Sequence, residues 1–166
     1  MDAPDAIAGG PGPHGHGREA SVPNFLPRHG TSLHPAPPGP EDDYLWSVAV
    51  ARLLLTADIH LQAPPNLSDD FGRLLDAGID DWGGVSPVTP DHVNPEAPWP
   101  AIERLRIETA AAGKCLTERW AINPAYGREA PRWIDPALQT ATRPAADAEG
   151  SARGEAGAPG TRGTSR

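Results

Sequence analysis

The stretch "DIHLQAPPNLSDDFGRLLDAGIDDW", residues 58–82, decides how the rest of the chain is read. Its first five residues, Asp58 to Gln62, alternate polar and apolar, the period of a half-buried strand. Pro64 and Pro65 stop that strand, because proline has no N–H to give to a ladder. "SDDFGRLLDAG", 68–78, then predicts a short helix, with Ser68 placed to cap its N-terminus and Gly78 suited to a left-handed stop. "IDDW", 79–82, predicts a further, very short strand. Strand, helix and strand in such quick succession make a crossover unit of a parallel sheet.

Working outward, the same alternation continues. "VPNFL", 22–26, is a short strand candidate, followed by a loop rich in proline. "PEDDYLWSVAVARLLL" predicts a helix over about 41–55, since Asp42 and Asp43 suit the positive end of its dipole and Leu45, Val48, Ala49, Arg52 and the leucines beyond give it an apolar stripe. A third helix spans about 98–112, with Pro98 and Pro100 in or before its first turn and Gly113 at its end. "CLTERWAI", 115–122, reads as another strand. Residues 131–150 carry a broken helix pattern, with Pro136 near a start and Pro144 as a break. Strands alternating with helices predict an α/β fold with a parallel sheet, whose loops after each strand share one face.

Composition limits how much of the chain folds. Of 166 residues, 21 are proline and 18 glycine, and 16 of those lie within the first 40 positions, whereas the tryptophans cluster in the middle. The expected organisation is a disordered tail at 1–21, an ordered part at 22–150 and a disordered tail at 151–166, because both ends lack the apolar area that offsets ordering entropy. A net charge of −8 argues against nucleic acid, which needs a concentrated basic face. A single cysteine, Cys115, excludes an internal disulfide. No apolar run approaches a membrane span, and the N-terminus lacks the pattern of a secretory signal, so a cytoplasmic location is expected. His14 and His16 form a histidine pair in a glycine-rich tail, a weak metal ligand set without further donors.

The loops hold the chemistry. "QAPPNLS", 62–68, puts the amides of Gln62 and Asn66 beside a stiff diproline, suited to a polar ligand or, equally, to satisfying the loop's own backbone. "DWGGVSPVTPDHVNPEAPWP", 81–100, contains five prolines and, between positions 86 and 94, the polar groups of Ser86, Thr89, Asp91, His92 and Asn94. The Asp91–His92 neighbours suit acid–base work; the alternative is a surface loop whose Ser, Thr and Asp bond their own backbone. No serine–histidine–acid spacing, phosphate loop or zinc motif occurs.

The strings "NFLPRHGTSLHPAP", "LWSVAVARLLL", "IHLQAPPNLS", "LLDAGIDDWGGVSPVTPDHVNPEAPWP" and "AAAGKCLTERWAINPAY" together resemble the radical S-adenosylmethionine (SAM) enzyme of the FO synthase family, over roughly 14–154. That resemblance implies a (β/α) barrel, a [4Fe-4S] cluster and S-adenosylmethionine. It also implies an ammonia-releasing lyase reaction that closes the deazaflavin ring of 7,8-didemethyl-8-hydroxy-5-deazariboflavin. The substrate implied is a tyrosine-derived adduct of 5-amino-6-(ribitylamino)uracil. It places Asn24, Gln62, Asn66, Asp81, Trp82, Ser86 and Asn94 at the barrel mouth as substrate-binding residues, with Asp91 and His92 as candidate proton carriers.

One departure sets the expectation for this chain. The family binds its cluster through three cysteines spaced CxxxCxxC, which leave one iron open for the cofactor. Cys115 alone cannot supply them. The expected object is therefore a partial (β/α) barrel of the radical SAM type, corresponding to about the last three βα units. Such a piece would come from a truncated gene product or a partial gene model and would be inactive by itself. Its alternative role is a noncatalytic module that binds substrate or docks onto a separate N-terminal half. An exposed sheet edge and apolar interior side chains stripped of their layers would leave it marginally stable.

Overall fold

A computed structural model describes residues 17–86, 88–142, 147–148 and 150–152. The chain divides into two compact units, Met1–Leu116 and Thr117–Arg166. His14, His16 and the tail residues 1–16 and 153–166 lie outside the described residues, so the expectations made for them stay as they were.

The first unit is built on strand β1 (Glu19–Ser21), helix α1 (Glu41–Leu54), strand β2 (His60–Gln62), a 3₁₀ turn (Pro65–Leu67), helix α2 (Phe71–Asp76) and helix α3 (Ile102–Ala111). β1 and β2 pair in parallel, with Glu19 opposite His60, Ala20 opposite Leu61 and Ser21 opposite Gln62. A single parallel bridge, Gln62 to Asp81, continues the ladder where a third strand was expected. Ala63 N–H donates to Asp81 O at 3.2 Å and Asp80 N–H to Leu61 O at 3.2 Å, which fixes that third segment beside β2. Among the described residues the sheet comprises the two parallel strands and the bridged segment at Asp81, and these residues do not form a partial barrel.

Three elements differ from expectation. The first strand is Glu19–Ser21, inside the stretch assigned to the tail, and not 22–26. Val22 N–H still donates to Gln62 O at 2.9 Å, but Pro23 has no N–H to carry the ladder on. Residues 115–122 form no strand; apolar alternation alone does not make one, because a strand persists only where its backbone groups are paired. Helix α2 is capped by Asp70, whose Oδ1 accepts from Arg73 N–H at 3.0 Å, and not by Ser68.

The core lies between the sheet and the helices. Val48, Leu61, Leu74 and Ile79 are fully buried, with Phe71 and Leu105 nearly so. α1 contributes Tyr44, Leu45 and Val48, while Trp46, Leu53 and Leu54 of the same helix are exposed; of the leucines at its end, Leu55 packs against the core. Arg52 closes α1 by donating to the carbonyls of Ile59 at 3.0 Å and Thr56 at 2.8 Å. Its stem passes over Gly78, where an added Cβ would lie 2.6 Å from Arg52 Cγ and where φ is +107°. Glycine is required there on both counts. α3 ends at Gly113, φ +73°, as expected. Lys114 beyond it donates from Nζ to the carbonyls of Leu75 at 3.3 Å and Ile79 at 3.1 Å, tying the end of α3 to the turn after α2.

The second face of the sheet is polar. Leu61 points to the helices, and by strand alternation His60 and Gln62 point the other way, alongside Glu19 and Ser21. The apolar interior layers expected on that side are not formed by these residues.

The second unit contains helices α4 (Pro124–Arg128), α5 (Ala130–Trp133) and α6 (Pro136–Thr142). Asn123 caps α4, its Oδ1 accepting from Ala125 N–H at 2.9 Å. Pro136 opens α6, as the sequence predicts. Among the described residues, no helix is long and apolar enough to cross a membrane.

Candidate functional site

Polar groups gather in two places at the ends of β2 and of the bridged segment. On the sheet face opposite the helices, Gln62 Nε2 donates to Glu19 Oε2 at 3.0 Å and to Asp81 Oδ2 at 3.4 Å. Asp81 Oδ1 accepts from Gly83 N–H at 2.6 Å, and the positive φ of Gly83, +73°, lets the chain turn back on this carboxylate. One amide thus bridges two carboxylates on an accessible surface. A ligand with several hydroxyl or amino groups finds acceptors and a carbonyl oxygen there.

The second cluster is a clamp. Asn66, in the 3₁₀ turn, donates from Nδ2 to Asp91 Oδ2 at 2.8 Å and to Ala97 O at 3.0 Å. Asp91 also accepts from Asn94 Nδ2 at 3.2 Å and, through Oδ1, from Val93 N–H at 2.8 Å. Desolvation pushes the Asp91 carboxyl upward, but the donors from Val93, Asn66 and Asn94 outweigh it and hold the group below the usual carboxylate range. A carboxylate so supplied with donors is a poor proton acceptor, so Asp91 serves as the hub of the loop. Asn66 Oδ1 is buried without a hydrogen-bond partner. Of the two roles open for Asn66, it fills the backbone-binding one through Ala97.

The remaining expected residues divide clearly. Trp82 lies in the core of this chain: its indole is buried, packs on Phe71 with ring centroids 5.3 Å apart and donates to Thr109 Oγ1 at 3.2 Å. It is a core residue, because Ile79 and Trp82 both turn toward the helices and leave Asp80 and Asp81 outside. Asn24 Nδ2 donates to Leu67 O at 3.1 Å, tying the chain after β1 to the 3₁₀ turn. It also lines an open cleft of about 420 Å³ together with Glu41, Asp69, Asp70 and Glu108. That cleft takes in none of the other expected residues. Ser86 Oγ accepts from Thr89 N–H at 3.1 Å and Thr89 Oγ1 at 2.7 Å, the self-bonding loop arrangement. His92 is exposed beside the clamp, and Arg28 donates to Val93 O next to it.

Sequence reasoning missed the pair His60 and Asp80. His60 Nδ1 lies 2.9 Å from Asp80 Oδ2, and Asp80 Oδ1 accepts from Leu61 N–H at 2.7 Å. The alternation of "DIHLQ" put His60 on the Gln62 face, which was the available signal.

The described residues form a short parallel β–α–β arrangement with amides and carboxylates joined at its strand ends. No family model matches it, and no solved structure does. Similar proteins carry a specific name. The chain is 49% identical over 126 residues to the FO synthase of Nocardia farcinica, covering 75% of this chain and 15% of that protein. It is 47% identical over 127 residues to the FO synthase of Mycobacterium tuberculosis, with the same two shares. To the 7,8-didemethyl-8-hydroxy-5-deazariboflavin synthase of Methanopyrus kandleri it is 45% identical over 141 residues, 84% of this chain and 41% of that protein. The chain matches a segment of FO synthase.

Proposed function

We propose that this chain is the substrate-side portion of an FO synthase-type radical SAM protein acting in deazaflavin coenzyme biosynthesis. The observation that carries this is identity of 45–49% to proteins named for that synthesis over three quarters or more of the chain. The parallel order β1, β2, Asp81, with a helix after each segment, supports a relation to a (β/α) barrel, since repetition of such units closes one. Within this reading the polar sheet face of Glu19, Gln62 and Asp81 receives hydroxyl groups of the ribityl chain. The Asn66–Asp91–Asn94 clamp holds the neighbouring loop in shape.

The donor set does not fit an iron–sulfur cluster. Cys115 is the chain's one cysteine and it is exposed, whereas such a cluster requires several thiolates. Among the described residues, no group of three or more His, Cys, Asp or Glu side chains is arranged to hold a metal. No step of ring closure is therefore assigned to this chain. That mismatch, beside an accessible polar face, favours a second reading: a noncatalytic module that binds the ribitylaminouracil part of the substrate or complements a separate polypeptide bearing the CxxxCxxC motif.

Two measurements test these readings. After reconstitution with iron and sulfide under reducing conditions, the chain alone should not cleave S-adenosylmethionine; cleavage would overturn the assignment. Calorimetric titration with 5-amino-6-(ribitylamino)uracil should show binding that weakens in Gln62→Ala. No binding would remove the substrate-side reading.

A further inference from the structure

The sheet face that holds Gln62 also holds an oriented imidazole. His60 precedes Gln62 by two positions on β2, so the two side chains share a face about 7 Å apart along the strand. Directly across the ladder from His60 stands Glu19, the residue whose carboxylate accepts from Gln62 at 3.0 Å. The His60 ring is half-exposed, with Nδ1 directed at Asp80 Oδ2 at 2.9 Å. An ionised carboxylate only accepts hydrogen bonds, so in the neutral ring the tautomer that matches this contact has its proton on Nδ1 and the lone pair on Nε2.

Asp80 is itself fixed from two other elements. Leu61 N–H donates to its Oδ1 at 2.7 Å, and the Arg52 guanidinium of α1 lies 4.0 Å from the same oxygen. Arg52 in turn is held by the carbonyls of Ile59 and Thr56. The imidazole is therefore oriented by a carboxylate that is itself held in place, which favours the Nδ1–H tautomer of the neutral ring. Of the residues first expected to move protons, Asp91 is committed to three donors and His92 stands exposed.

We propose that His60, positioned by Asp80, is the basic group of the sheet-face site, its Nε2 accepting an N–H or O–H of a ligand seated against Gln62. The ligand class is a polar molecule with a donor group within one strand repeat of a hydroxyl-rich arm. A full proton transfer there would leave the ligand atom anionic and His60 as imidazolium, with Asp80 as its counter-charge. This inference rests on the reading that the sheet face binds substrate.

The experiment combines nitrogen NMR of the imidazole with calorimetric binding of 5-amino-6-(ribitylamino)uracil to the full chain. The wild type should show an unprotonated Nε2 in the neutral ring. His60→Phe should weaken binding about tenfold, the scale of one lost hydrogen bond at a polar site, and His60→Gln, which keeps an acceptor, should stay within about threefold. Asp80→Asn presents an amide that can donate to Nδ1, so it should shift the proton to Nε2 and weaken binding about tenfold with His60 still in place. A proton on Nε2 in the wild type overturns the proposal. Binding that ignores all three substitutions overturns it too while leaving the sheet-face reading intact. No binding by the wild type overturns both.

Discussion

Replacing Asn66 by alanine tests the clamp at its hinge. The substitution removes two hydrogen bonds, one to the Asp91 carboxylate at 2.8 Å and one to Ala97 O at 3.0 Å. A bond to a charged group contributes about 1.5–3 kcal/mol and a neutral one about 0.5–1.5 kcal/mol, with the lower ends fitting a half-exposed site. Against that loss stands a relief: Asn66 Oδ1 is buried without a partner, and removing such a group returns about 1 kcal/mol or more. The net expectation is a local destabilisation of about 1 kcal/mol, a factor of about 5 in the opening equilibrium of the loop. Native-state hydrogen exchange reads this directly, because Val93 N–H is held by Asp91 and Ala97 N–H by Asn94 O at 2.9 Å. Both amides should exchange faster by that factor, while Leu61 and Leu74 in the core should not change. If the loop amides keep their rates, or the core amides accelerate equally, the clamp does not act as described.

Three further outcomes follow from the geometry. Asp91 has a depressed carboxyl in the folded chain, so its contribution is present above the ordinary carboxylate value near 4 and is lost as pH falls through the lower, folded value; exchange at Val93 should gain its extra rise only below that ordinary value, and a loss of protection that begins above it would contradict this. Trp82→Phe keeps the ring packing on Phe71 but loses the bond to Thr109, and should cost about 1–2 kcal/mol in urea unfolding, with Thr109→Val giving a similar loss on its own and little more in combination; additive effects would show that the two do not act together. Gly78→Ala must place a Cβ against the Arg52 stem at a positive φ, and should destabilise by more than about 1 kcal/mol in the same assay; a neutral result would mean that α1 can shift away at no cost.

How much of this was readable in the residues depends on the range over which each feature is decided. α1 and α3 follow from local periodicity, and the stops at Gly78 and Gly113 from the left-handed backbone that each needs. β1 was misplaced by three residues because a strand exists where a partner accepts it, and the apolar content of "VPNFL" says nothing about which residues meet His60 to Gln62. The same limit applies at the site. Asn66 and Asp91 are 25 positions apart, and nothing in either loop reveals that one binds the other. Trp82 was expected at the rim from the family resemblance, yet a short bridged segment next to Ile79 sends a large aromatic inward where area can be buried. His60 was visible as a strand residue, but its partner Asp80 comes from the adjacent segment, and only the parallel register joins them.

Lys114 is the chain's sole lysine, and its ammonium group is shared between two backbone oxygens of another helix–turn junction. Any amine-directed reagent, apart from one equivalent taken up by the α-amino end, is thereby forced to report on a single internal joint. Acylation there would neutralise the cation and leave the acceptors on Leu75 and Ile79 to water. One labelling stoichiometry, followed over time, would measure how often the third helix lets go of the second.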